Sequence, residues 1–285
     1  MPVFSTRTVS KVAPPWTYFQ PAGAYHAESR SGRMMSSGML REFRRSPSRY
    51  HTMTTGFGVR SDTTAFRFGR AVHTLVLEGE AAFSACFRIG GPINAGTGRT
   101  FAVGSKNHNA WLLENGIHAG SILTREEADA ARRIRDAVLG LRESAELLRE
   151  GWPERSAKAC LEGVDCQIRM DWLRPDATLV DLKTVRDIAR FQADARKYGY
   201  LDQFAFYREV AYAAGAPRSA FFAVAVEKAP PFHAIAREIP AKTLDAFACR
   251  NRETLRRYRQ CRGENRWPAT IEKPRDVDIT AFPPL

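Results

Sequence analysis

The chain has 285 residues, 44% hydrophobic and 26% charged, close to the averages of folded globular proteins and far from disordered, collagen-like or coiled-coil compositions. Lys and Arg number 43 against 31 Asp and Glu, for a net charge of +12, and a field of that sign favours polyanionic partners such as nucleic acid or an anionic membrane surface. The longest apolar run, Ala220 to Val226, is far short of the ~20 residues a spanning helix needs. Cys86, Cys160, Cys166, Cys249 and Cys261 are scattered without a CxxC pair, which fits a reducing compartment and signals neither a zinc ribbon nor an iron–sulfur cluster.

Charge distribution says more than the total. Seven Arg against Glu42 lie between Ser29 and Arg60, and six Arg against Glu253 lie between Cys249 and Arg262. Two basic segments thus flank a more balanced middle. The opening residues 1–24 are rich in Pro, Ser, Thr and aromatics without periodicity and read as a poorly ordered arm. They hold no secretory apolar stretch, although the absence of any acid before Glu28 leaves an organelle-targeting reading open. Ser36 or Ser37 can cap a short helix with a Met39, Leu40 and Phe43 stripe, which Ser46-Pro47 ends or kinks. A second helix is expected from Asp62 through Glu78, with Phe66, Gly69, His73 and Val76 on one inward face.

Residues 89–110 are rich in Gly and Asn and predict a long loop or a loosely paired hairpin. Thr124 with Glu127 forms a capping box opening an amphipathic helix to about Arg149. From Ser156 to Thr184 the period changes to two, predicting a β meander turned at Glu162-Gly163. Val164, Cys166, Ile168, Met170 and Trp172 share one face, and Asp165, Gln167, Arg169 and Asp171 the other. After Arg174-Pro175-Asp176, Asp181 and Lys183 alternate with Val180 and Leu182. A helix over 199–214 places Gln203 and Tyr207 one turn apart, two strands joined at Pro230-Pro231 follow, and a last helix runs from about Ala241 to the Trp267-Pro268 stop.

An acid on one strand and an acid-x-Lys on the next is a set suited to metal-assisted phosphodiester hydrolysis. Carboxylates hold hard divalent cations, the Leu182 main-chain carbonyl can add a ligand, and the ammonium orients or stabilises the attacking hydroxide. Asp-x-Lys alone is common, and a surface carboxylate beside a lysine on an exposed strand is the competing reading. The apolar flanks argue for a cleft, where a charge needs a partner or a metal.

The ten-residue step from Asp171 to Asp181, the Asp181-Leu182-Lys183 triplet and the Gln203 to Tyr207 helix resemble the PD-(D/E)xK nuclease superfamily. More narrowly, residues 69–78, 154–173, 180–185, 197–210 and 222–228 resemble the RecE-type, phage-related exodeoxyribonucleases, an exodeoxyribonuclease VIII-like group. The resemblance implies an α/β (α+β) fold with a restriction-endonuclease-like core, a central mixed sheet flanked by helices. It implies a single nuclease domain over 25–270, followed by a tail over 271–285. His73, Asp171, Asp181, the Leu182 carbonyl and Glu154 are then metal-ligand positions, and Asp171, Asp181, Lys183, Gln203 and Tyr207 the catalytic set. Relatives often carry a Lys and a Pro in the strand before the acid, where this chain has Gln167 and Met170.

The activity so implied is Mg²⁺- or Mn²⁺-dependent degradation of one strand of linear duplex DNA, 5′ to 3′, with two ions per site, in phage or prophage recombination. Arg41, Arg44 and Arg45 are candidate DNA contacts, with a solvated helix face as the equal alternative. Expected partners are duplex ends, further copies in a homo-oligomeric ring and a single-strand annealing protein, with no membrane, in the cytoplasm of a bacterial or phage-infected cell. The alternatives are a sequence- or structure-specific endonuclease on the same fold and a catalytically silent DNA-binding protein.

Overall fold

A computed structural model describes residues 8–9, 12–56, 64–102, 104–117 and 119–270. Two short strands, β1 (Thr8–Val9) and β2 (Tyr18–Phe19), precede α1 (Ala22–Arg30), α2 (Ser37–Arg45) and α3 (Pro47–Thr54). The Ser36 hydroxyl caps α2 by accepting from the Met39 N–H, and Ser46 ends α2 while capping α3 through the Arg49 N–H. One serine thus serves both helices, and Pro47 at the first position of α3 gives up an N–H that had no helical partner. The arm read from the sequence is tied to the sheet where it is described. β1 runs parallel and β2 antiparallel to the same edge of β5 (Glu150–Leu161).

α4 (Thr64–His73) runs into a π-helical turn over Thr74–Glu78, then α5 (Glu80–Cys86). The expected start at Asp62 lies outside the described residues. The inward stripe is not the expected one: Ala71, Val72, Leu75 and Val76 are buried, while Phe66 is 52% exposed. Phe66, Gly69 and His73 all precede the π turn, so the buried face differs within α4 itself, while Val76 inside the turn is buried as expected. The Gly-rich stretch holds β3 (Arg88–Ile89), an isolated Ile93–Thr100 bridge and α6 (Lys106–Glu114), which Ser105 caps. Beyond β4 (Ile122–Leu123), the Thr124–Glu127 capping box opens α7 (Arg125–Gly140). The chain breaks at Leu141 before α8 (Arg142–Leu147), so the single helix expected to Arg149 is two.

β5, β6 (Val164–Leu173) and β7 (Leu179–Val185) form the expected meander. Glu162 and Gly163, at φ of 52° and 74°, make the turn between the first two. A short 3₁₀ turn and α9 (Phe191–Lys197) lead to α10 (Tyr200–Ala213), then β8 (Phe221–Glu227), β9 (Ala234–Glu238) and α11 (Ala241–Glu264). The sheet order is β1-β5-β6-β7-β8-β9, with β2 sharing the edge of β5 that β1 uses. β7 and β8 are parallel and β8 and β9 antiparallel, so the sheet is mixed.

Two apolar clusters fix the layers. Phe43, Tyr50, Phe204, Phe206, Phe247, Leu255 and Tyr258 join α2, α3, α10 and α11 into one. Val72, Leu75, Phe83, Ile134 and Val138 join α4, α5 and α7 to Leu182, Val224 and Val226 in the other. No helix among the described residues is long and apolar enough to cross a membrane.

Candidate active site

The site grows from a fork in the sheet. β5 and β6 pair from Trp152–Leu173 to Leu161–Val164, but β6 and β7 pair only at Trp172–Val180 and Leu173–Leu179 before diverging. Met35 takes up part of the freed edge through a bridge to Cys166, donating to the Asp165 carbonyl and accepting from the Gln167 N–H. At the crotch the Leu182 N–H lacks a strand partner and donates to Asp171 Oδ2 at 2.8 Å. A backbone donor that would otherwise be orphaned thus fixes a carboxylate.

Asp171 Oδ2 lies 3.5 Å from His73 Nδ1, at the last residue of α4. Opposite Asp171 stands Glu154, whose φ of 55° puts a non-glycine residue in the left-handed region inside a strand. The ladder lapses at this one position while its flanking pairs persist, a local strain of the kind that recurs at functional sites. Ligand atoms of His73, Glu154 and Asp171 all lie within 4.8 Å of one another. Asp181 is 1% exposed and ion-pairs through Oδ2 with Lys183, while its Oδ1 accepts from Gln203 Nε2 at 3.4 Å. The Lys183 ammonium also sits 5.2 Å from the Tyr200 ring centre and 5.6 Å from that of Phe204.

Negative charge is in excess here, and the protonation equilibria show it. Burial, then Asp171, pushes the Glu154 carboxyl up to about 8. Burial also pushes Asp181 up to about 7, with Lys183 opposing and Asp171 reinforcing. Burial holds His73 below its ordinary value, which leaves a neutral imidazole able to ligate. The Leu182 carbonyl lies in hydrogen-bonding range of that ring. Burial disfavours the Lys183 cation, but Asp181 and Asp171 outweigh it and raise its pKa, so the ammonium persists.

The fork therefore gathers His73, Glu154, Asp171, Asp181, Leu182, Lys183 and Gln203. Tyr207 is buried one turn behind Gln203, beside the Gln203 side chain and that of Tyr25 in α1, so it backs the site from inside. The three arginines of α2 separate. Arg45 is exposed, Arg41 donates to the Tyr198 carbonyl at 2.6 Å, and Arg44 is drawn into a partly buried pair with Asp202 at 2.6 Å. That engagement leaves Arg44 ill placed to reach a phosphate.

Two residues escaped the sequence reading. Arg169 pairs with Glu154 at 2.9 Å, and the strand alternation had already set it on the face of Asp171. Glu78 closes the π turn five residues after His73 and adds its field to that of Glu154; no 3.6-residue pattern would align those two. Gln167, expected on an open polar face, is fully buried because α1 covers it, and it donates to the Tyr25 carbonyl at 2.8 Å and to Ser29 Oγ at 2.7 Å.

A carboxylate-rich fork in a mixed sheet, with a lysine two residues past the buried acid, is the arrangement that the acid-x-Lys pattern of the sequence anticipates. The chain belongs to the family described as a PDDEXK-like domain of unknown function (DUF3799), which it matches over residues 36–276. A crystal structure of a protein from Eubacterium rectale, provisionally described as an exonuclease, superposes with a TM-score of 0.66 at 15% identity, covering 93% of this chain and 100% of that one. No curated protein matches the sequence. By family and fold the chain is placed in the PD-(D/E)xK superfamily.

Proposed function

We propose that this protein is a metal-dependent exodeoxyribonuclease that removes one strand of linear duplex DNA from 5′ to 3′ in phage or prophage recombination. The observation that carries the metal-dependent chemistry is the surplus of carboxylate over cation in the fork: among the described residues, the fixed cations that pair with Glu154, Asp171 and Asp181 are Lys183 and Arg169. Hard oxygen donors with one neutral imidazole suit Mg²⁺ or Mn²⁺. His73, Glu154 and Asp171 would hold one ion, and Asp171, Asp181 and the Leu182 carbonyl a second. Such ions supply Lewis-acid stabilisation of the phosphate and a water acidified enough to attack it.

The chain's own groups do the rest. Lys183, clamped between Asp181 and two aromatic rings, presents a fixed positive charge to orient the attacking water and stabilise the charge that develops on phosphorus oxygens. Gln203 holds Asp181 in place, and Tyr207 keeps Gln203 from turning away. Exposed Arg45 is the α2 residue best placed for a backbone phosphate. The polarity, a ring-shaped homo-oligomer, an annealing partner and a cytoplasmic setting rest on the resemblance of the sequence motifs to RecE-type exonucleases.

The test is Mg²⁺-dependent digestion of matched linear and closed-circular duplexes carrying 5′ or 3′ labels. Early release of the 5′ label from linear DNA alone is expected, with Asp181→Ala slower by at least about 10²-fold, the scale for removing one electrostatic element of an active site. Cutting of the circle would replace this reading with an endonuclease. The absence of Asp181-dependent cleavage under either Mg²⁺ or Mn²⁺ would leave a silent DNA-binding protein.

A further inference from the structure

We propose that Tyr198 and Tyr200 form a stacking ledge for an unpaired nucleotide at the mouth of the carboxylate fork, so that the strand end reaching Asp181 and Lys183 is single-stranded. The inference rests on the nuclease reading and specifies the form of its substrate.

The rings lead outward from the buried lysine. The Lys183 ammonium is 5.2 Å from the Tyr200 ring centre, and the Tyr200 centre is 6.0 Å from that of Tyr198, with 35° between the planes. Tyr200 is partly buried against Phe191 and Phe204, whereas Tyr198 is 42% exposed. A core function explains the first ring and not the second. The Lys197 ammonium lies over the Tyr198 ring, 5.4 Å from its centre, placing a cation on the aromatic surface that a phosphate or base would meet.

The ledge is held from beneath. Arg41 donates to the Tyr198 carbonyl at 2.6 Å. Gly199, at φ +72°, turns the chain between the two tyrosines, and a Cβ there would already touch Arg41 Cδ at 3.4 Å. Rings spaced along a rigid turn with cations alongside are the elements that recognise single strands, because bases stack on the rings while phosphates meet the positive groups. Bases inside a duplex have both faces covered by neighbouring pairs, so an unpaired nucleotide is the form that offers a free face.

The experiment uses the full-length protein with DNA carrying 2-aminopurine, a base whose fluorescence falls on stacking, either in a short single-stranded overhang or at a blunt end. Binding is read in EDTA, and cleavage of the same DNA is read with Mg²⁺. Wild-type protein is expected to quench the overhang probe more than the blunt one. Tyr198→Ala should lose that quenching and bind the overhang about ten-fold more weakly, while Tyr198→Trp retains both. The ledge is overturned if Tyr198→Ala matches wild type in quenching and affinity, if wild type fails to bind or quench, or if blunt and overhang probes respond alike. Absence of cleavage by wild type alongside Tyr198-dependent quenching would overturn the nuclease reading and keep the ledge.

Discussion

Two regions of this molecule bury charge in quantity, and they do opposite things with it. Around Asp202 one carboxylate meets two guanidiniums: Arg44 NH1 donates to Oδ1 at 2.6 Å, and Arg250 Nε to the same oxygen at 3.0 Å. The donors left over are placed as well, Arg44 NH2 on Asn251 Oδ1 at 2.7 Å and Arg44 Nε on Thr254 Oγ1 at 3.1 Å, while Asn251 Nδ2 donates to the Asp202 carbonyl at 2.9 Å. In the fork, Glu154, Asp171 and Asp181 share one ammonium and one guanidinium, and Glu154 is driven up to about 8. The first cluster is saturated and ties α2, α10 and α11 together. The second lacks cation. Charge density alone therefore does not mark a site; the sign of the imbalance does, because buried carboxylates without counter-charge are stable only when protonated or when a metal arrives.

The largest expected effect falls on the saturated cluster. Asp202→Ala would leave the partly buried Arg44 and Arg250 guanidiniums without their carboxylate, and the about 3–5 kcal/mol cost of breaking a fully buried pair from one side is the upper bound, read as lost unfolding free energy in urea. A loss below about 1 kcal/mol would show that the network is screened and that its saturation does not hold the helices.

The next prediction concerns the fork and reverses sign with metal. In metal-free protein, the raised carboxyls of Glu154 and Asp181 bind protons more tightly in the folded chain than in the unfolded one. Their contribution to stability is full below the unfolded values near 4 and is lost as pH rises through about 7 to 8. Mg²⁺ or Mn²⁺ should restore stability at pH 8, by about 2.7 kcal/mol at a hundredfold excess over Kd. Thermal unfolding at pH 5 and 8, with and without cation, measures both effects, and Glu154→Gln should flatten the metal-free pH dependence. No cation effect at pH 8 would mean that the imbalance is not a binding site.

How much of this was legible in the sequence follows from the reach of each pattern. The alternation over residues 164–170 groups Val164, Cys166, Ile168 and Met170, which pack in one apolar cluster, but it fails at Trp172, which packs in the other, and β7 is buried on both faces from Leu179 to Leu182. The pattern places Asp171, Asp181 and Lys183 on one side without showing that the strands part after two pairs. The edge left by that divergence is taken up in part by Met35 from a distant segment, which no local pattern encodes. The Thr124–Glu127 box is readable because both partners lie within one turn. The π turn after His73 is not, since it departs from the period used to read helices, and with it Glu78 is hidden. Arg44 looks the same as Arg45 in sequence; only the approach of Asp202, 158 residues away, assigns one to the interior and leaves the other in solvent.

A third ion pair tests where the comparison stops applying. Arg67 NH2 of α4 meets Glu127 Oε1 of α7 at 2.6 Å, each side chain 19% exposed, while Glu127 Oε2 accepts from the Thr124 N–H to close the capping box. Charges here are matched one to one and solvent reaches both partners, so neither saturation by surplus donors nor carboxylate excess operates. Gln serves as well as Glu in a capping box, which lets Glu127→Gln remove the charge while the helix start is kept. The expected loss is about 0.2–1 kcal/mol, the range of solvent-accessible pairs, shrinking further at high salt, with cation binding at the fork unchanged. Urea unfolding at low and high salt measures it. A loss of several kcal/mol would place α4, and therefore His73, under the control of this pair, and the metal affinity of Glu127→Gln should then fall along with its stability.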